Sequence, residues 1–144
     1  MFLASLLVGA GGARAHDDAY LDTLKAPNGG QLRQAGVFHY ELVAARDATE
    51  SRESPVVVYV TDHGGQKVPT TGAAGSATIL SGKLKSTAAL VPDGDNRMKG
   101  SARYAAKPGM KVVVSIALPA KQSEQARFTP LGATQDAHSE HDHE

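Results

Sequence analysis

Val37-Phe38-His39-Tyr40-Glu41-Leu42-Val43 alternates with a period of two, so Phe38, Tyr40 and Leu42 share one face while His39 and Glu41 share the other with Val37 and Val43. The first set reads as core, and the segment as a half-buried β-strand. Outward from it, residues 55–61 (PVVVYVT) and 111–118 (KVVVSIAL) are more continuously apolar, as central strands are. Weaker β-type runs fall at 76–80, 84–91, 97–105 and 125–131. Turn residues separate these runs at intervals of about 8–12 residues. Pro92-Asp93-Gly94-Asp95-Asn96 supplies one turn and Lys107-Pro108-Gly109 another, each pairing a fixed negative φ with permissive residues. Residues 44–54 (AARDATESRES) are polar and charged and read as a loop between strands.

No segment shows helical periodicity. Seven or eight strands without crossover helices predict an all-β fold, an antiparallel immunoglobulin-like β-sandwich, with a small β-barrel as the alternative. The Cys and Trp spacing of antibody domains is absent, so that likeness is architectural, and the core must hold by Val, Leu, Ile and Phe packing alone. The length of 144 residues, 41% apolar and 21% charged, suits one such domain.

Residues 1–10 (MFLASLLVGA) are apolar and precede Ala13-Arg14-Ala15, a small-x-small cleavage pattern. The run is shorter than the ~20 residues a membrane-crossing helix needs. Residues 1–15 therefore read as an export signal, although no Lys or Arg precedes the apolar run, which suggests a true start further upstream. The expected organisation is a signal at 1–15, an N-terminal arm at 16–26, a β-domain at 27–131 and a His- and acid-rich tail at 132–144. An exported chain without cysteine suits a bacterial periplasm, and no later segment is apolar enough to span a membrane.

Formal charge is zero, with 15 bases and 15 acids, which disfavours nucleic acid as a partner. The balance is a cancellation. Without residues 1–15 the chain carries 14 bases and 15 acids; residues 16–135 hold 14 bases and 11 acids, and the remainder four acids and no base. Opposite signs would let the tail lie on its own domain at low salt.

The absence of cysteine removes disulfides, thiolate metal sites and thiol nucleophiles, leaving His, carboxylate and Met as metal donors. The tail places His138, His141 and His143 among four carboxylates within nine residues, a donor set suited to copper or zinc. Cleavage after Ala15 would add the α-amine and ring of His16, with Asp17, Asp18 and Asp22 as neighbouring oxygen donors. Within the domain, His39 and Glu41 project from one strand face at i, i+2, and His63 sits in the turn after a strong strand. Met98 and Met110 would suit cuprous ion if exposed, though Met in a β core ordinarily packs. Asp93 and Asp95 lie in a Gly/Asn turn, where solvated Asp is the usual choice. No nucleophile elbow, zinc-protease helix or phosphate-binding glycine loop occurs, so no enzymatic activity is expected.

Asp17-Asp18-Ala19-Tyr20-Leu21-Asp22, Lys25-Ala26-Pro27-Asn28-Gly29-Gly30-Gln31-Leu32 and His39-Tyr40-Glu41-Leu42-Val43 together resemble small periplasmic proteins that accompany bacterial heavy-metal (copper or cobalt-zinc-cadmium) resistance and efflux systems. The likeness continues through Val58-Tyr59-Val60-Thr61-Asp62-His63 and Ala126-Arg127-Phe128-Thr129-Pro130-Leu131. The Gly-Gly…His-x-Glu-Leu portion also resembles the N-terminal segment of periplasmic adaptor subunits of metal-efflux pumps, where a His usually stands at the position of Asn28. The resemblance implies a periplasmic metal-handling accessory, a buffer or chaperone for copper or zinc with an efflux adaptor or other envelope protein as partner, and His39, Glu41 and His63 as candidate ligands. The rival expectation is an immunoglobulin-like envelope interaction module that docks by an exposed strand edge, with no metal role of its own.

Overall fold

The alternation read from 37–43 is the burial pattern of the folded strand. Phe38, Tyr40 and Leu42 are all buried, while His39 and Val43 are half-buried on the opposite face. The computed structural model describes residues 14–47 and 49–132, with side chains from Asp18 onward. It contains a helix α1 (Arg14–Leu21) and strands β1 (Gln31–Ala35), β2 (Phe38–Ala44), β3 (Arg52–Asp62), β4 (Ala74–Ser81), β5 (Leu84–Pro92), β6 (Arg97–Tyr104), β7 (Lys111–Ala117) and β8 (Glu124–Phe128).

All eight strands pair antiparallel in one sheet of order β1-β2-β3-β6-β5-β4-β7-β8. The sheet curls into a nearly closed barrel around a single core, so the all-β antiparallel expectation holds and the small-barrel form describes it most closely. The halves β1-β2-β3-β6 and β5-β4-β7-β8 meet along two seams. On one, β5 and β6 share only the ladder pairs Val91–Lys99 and Pro92–Met98. A Cβ on Gly100 would overlap the Ala89 carbonyl, so only glycine permits this close approach at the corner. On the other, β1 and β8 are bridged by Thr129 N–H donating to Gln31 Oε1 at 2.9 Å, and the Glu124 carboxylate lies against Gly36.

The runs at 55–61 and 111–118 alternate more strictly than their composition suggests. Val56, Val58 and Val60 of β3 and Val112, Val114 and Ile116 of β7 face the core, while Val57 and Val113 lie half-buried outside. Met98 and Met110 are both fully buried, as packing residues. Both expected turns form: Asp93 N–H donates to Arg97 O at 2.8 Å, and Met110 N–H closes on Lys107 O at 3.0 Å across Pro108-Gly109, with Gly109 at φ 84°.

Two elements differ from expectation. The α1 helix has only eight residues, too few for a periodic signal, and it forms against β1 with Leu21 buried. Asp18 Oδ1 accepts the Gln34 N–H at 2.8 Å, and Asp22 pairs with Arg33 at 2.6 Å, so both carboxylates tie α1 to the barrel rather than standing by as oxygen donors. The β1 strand, Gln31–Ala35, lacks apolar alternation and exists through its five-pair ladder with β2. The Asp18 bond caps its outer edge.

Candidate functional site

The register of β2 on β3 sets His39 opposite Thr61 and Phe38 opposite Asp62, so His39 lies near the end of the sheet where β3 finishes. Beyond Asp62 the chain turns sharply. Asp62 Oδ1 accepts the N–H groups of Gly64 and Gln66, each at 2.9 Å, and Gly65 takes φ 83°, a conformation natural to glycine. This turn folds His63 back beside β2, and the two imidazoles stack with centroids 4.7 Å apart and planes 24° from parallel. Residues 24 positions apart in the chain thus form a side-by-side pair, with His63 exposed and His39 half-buried.

The pair has a definite coordination geometry to satisfy. An imidazole nitrogen binds metal along a lone pair in the ring plane, so two nearly parallel rings cannot both aim at one ion. The stack places two imidazoles in proximity without converging their lone pairs on one point.

Glu41 projects from the same strand face as His39, as expected, but its carboxylate is engaged. Oε2 accepts the N–H groups of Asn28 and Gly30, both at 2.9 Å, and Oε1 accepts Asn28 Nδ2–H at 3.0 Å. Glu41 is buried by this loop and clamps it to the sheet. Asn28 is the clamp's double donor. Gly30 has no room for a side chain, since a Cβ would overlap the Leu42 carbonyl.

Beside the clamp lies a cavity of about 210 Å³ lined by Asn28, Leu32, Glu41, Tyr59, Thr61 and Lys67, among others. Lys67 at its rim pairs with Asp95 at 3.2 Å. A larger, shallow recess between Pro55, Ala89, Val91 and Gly100 lies at the β5–β6 corner and includes none of the histidines.

Among the described residues no three His, Asp or Glu side chains converge as a metal-binding group. The His16 side chain and His138, His141 and His143 lie outside the described side chains. Asp93 and Asp95 form a hairpin turn, as expected, with Asp93 paired to Arg97 at 3.0 Å. No helix among the described residues is long and apolar enough to cross a membrane. Sequence reasoning assigned no role to Tyr104, whose hydroxyl donates to Pro55 O at 2.6 Å and accepts the Ala45 N–H at 3.0 Å. Nor did it place Asn28 on Glu41, for lack of any signal linking a turn residue to a strand 13 positions away.

The site thus defines an all-β barrel-like domain bearing a stacked imidazole pair, one ring exposed and one half-buried, at one end. No protein-family model and no curated protein matches the chain.

Proposed function

We propose that this chain is a periplasmic, non-enzymatic protein that binds a divalent transition metal, copper or zinc, and buffers it or passes it to an efflux partner. The observation that carries the reading is the His39–His63 pair, because two imidazoles held within 4.7 Å are the start of a coordination sphere for these ions. Water, or a donor from the partner that receives the ion, completes the sphere. Two protein ligands suit exchange better than storage, since a structural zinc site closes with four.

Calorimetric titration of zinc and cupric ion into the chain tests it. The expected result is micromolar binding that falls at least about tenfold, or ~1.4 kcal/mol, in His39→Ala and in His63→Ala. Binding unchanged by both substitutions would remove the domain site; loss only on deleting residues 133–144 would leave the domain as a scaffold for the tail. Osmotic-shock fractionation and N-terminal sequencing test the location, with a mature chain beginning at His16 as the expected outcome.

A further inference from the structure

Charge in the folded part is divided along the chain. Residues 16–62 carry eight acids and four bases, whereas residues 63–132 carry three acids and ten bases. Two of those three acids, Asp93 and Asp95, pair with Arg97 and Lys67 near the imidazole end, and the third, Glu124, faces Gly36 at the β1–β8 seam. At the opposite end Lys83, Lys85, Lys107, Lys111 and Arg127 have no carboxylate partner among the described residues.

Strand register gathers these bases into a strip. Leu80 of β4 lies directly opposite Lys85 of β5 on one side and Lys111 of β7 on the other, so the two lysines flank it on one outer face, about 10 Å apart at the usual strand spacing. Arg127 of β8 pairs with Val113, the next outward position along β7. Lys83 occupies the β4–β5 turn and Lys107 the turn before β7. Leu80 is 45% exposed at the centre.

Gly132 lies at this strip. Gly132 O accepts the Gly109 N–H at 2.9 Å, between Lys107 and Lys111. The twelve residues that follow carry Asp136, Glu140, Asp142 and Glu144 and no base. Asp136 stands four residues beyond Gly132, a reach of up to ~14 Å, and Glu140 eight, up to ~28 Å. Both reaches cover a strip roughly 15 Å wide.

We propose that the acidic segment 133–144 docks in cis across the basic strip on the outer face of β5, β4 and β7. The contact is electrostatic and exposed, so it holds at low salt and is released at high salt. It sets the segment at the end of the barrel remote from His39 and His63, and it requires no metal.

A spin label tests it directly, because the chain has no cysteine and Ser139→Cys creates a single attachment point. In the isotope-labelled full chain at about 0.01 M salt, where the Debye length is ~30 Å, amide signals of Leu80, Lys85, Lys111 and Arg127 are expected to broaden. The broadening is expected to vanish at about 1 M salt, where that length is ~3 Å, and in the Lys85→Glu/Lys111→Glu variant with the other amide shifts preserved. Broadening centred on His39 and His63, broadening unaffected by salt, or no broadening above that of the free label would each overturn the proposal. So would equal broadening when the label is carried only by unlabelled-isotope chains mixed in, since that assigns the contact to a second copy.

Discussion

Glu41 stands on the outward-pointing face of β2, where a carboxylate is ordinarily solvated, yet it is buried because three N–H donors from the Asn28–Gly30 loop close on it. Charge-assisted hydrogen bonds are the strong class, and removing the acceptor orphans all three donors. Glu41→Ala is therefore expected to destabilise the fold by about 3 kcal/mol, read as a lower urea midpoint at unchanged slope. Burial raises the ionisation of Tyr40, with the Glu124 charge adding to it, and burial likewise raises that of Tyr104 against the Ala45 hydrogen bond. An unfolded tyrosine ionises near ~10. Because both folded values lie higher, their contribution is complete below about pH 10 and is lost as pH climbs from there toward the folded values. Unfolding free energy measured from pH 8 upward should thus fall above about pH 10, and Tyr40→Phe should flatten that fall. Tyr40 lends itself to this test because its hydroxyl makes only a long 3.5 Å contact to Ile116 O. Tyr104→Phe breaks two bonds that join β6 to β3 and to the β2–β3 loop, and should cost about 1–2 kcal/mol at neutral pH.

At the scale of elements, β2, β3 and β7 were legible because burial on one face writes a period of two into the sequence. The β1 strand was not, because an edge strand with one ladder and a cover of polar contacts needs no apolar stripe. Its Arg33 bonds to Asp22, just after α1, and its Gln34 to Asp18 within α1. The helix was invisible for a related reason: two turns give no period to count, and Leu21 is its only buried side chain among the described residues. Leu21→Ala should accordingly cost about 2–3 kcal/mol and raise amide exchange first in Gln31–Ala35, which loses its cover. The β5–β6 corner depends on backbone proximity. Gly100→Ala, whose Cβ would overlap the Ala89 carbonyl, should destabilise by about 2–4 kcal/mol in thermal or urea unfolding. By contrast Gly82, at φ 61° with open space around it, should cost only about 1 kcal/mol on replacement by Ala.

Across the whole molecule, the imidazole pair and the point where the acidic segment departs lie at opposite ends of the barrel. Asp62, next to His63, pairs with Phe38 at the start of β2, whereas Phe128 pairs with Val112 near the start of β7 and leads on to Gly132. If each end takes its own ion, the two binding steps are independent. In titrations, His39→Ala and deletion of residues 133–144 should each remove their own binding step, and the double change should equal the two effects added. An interaction energy beyond about 0.5 kcal/mol would mean that the two ends share an ion.

By itself the sequence determined the antiparallel all-β class, the positions of seven of the eight strands and the main turns. Alternation and turn chemistry are local properties that any pairing partner must respect. It also named His39 and His63 as candidates. Only the tertiary structure decided that these two rings meet, that Glu41 is committed to the Asn28–Gly30 loop and that the sheet bends nearly shut at Gly100. Those outcomes depend on register and backbone approach between residues distant in the chain, and on which donors the fold brings to a carboxylate. A one-dimensional pattern carries no record of such distances.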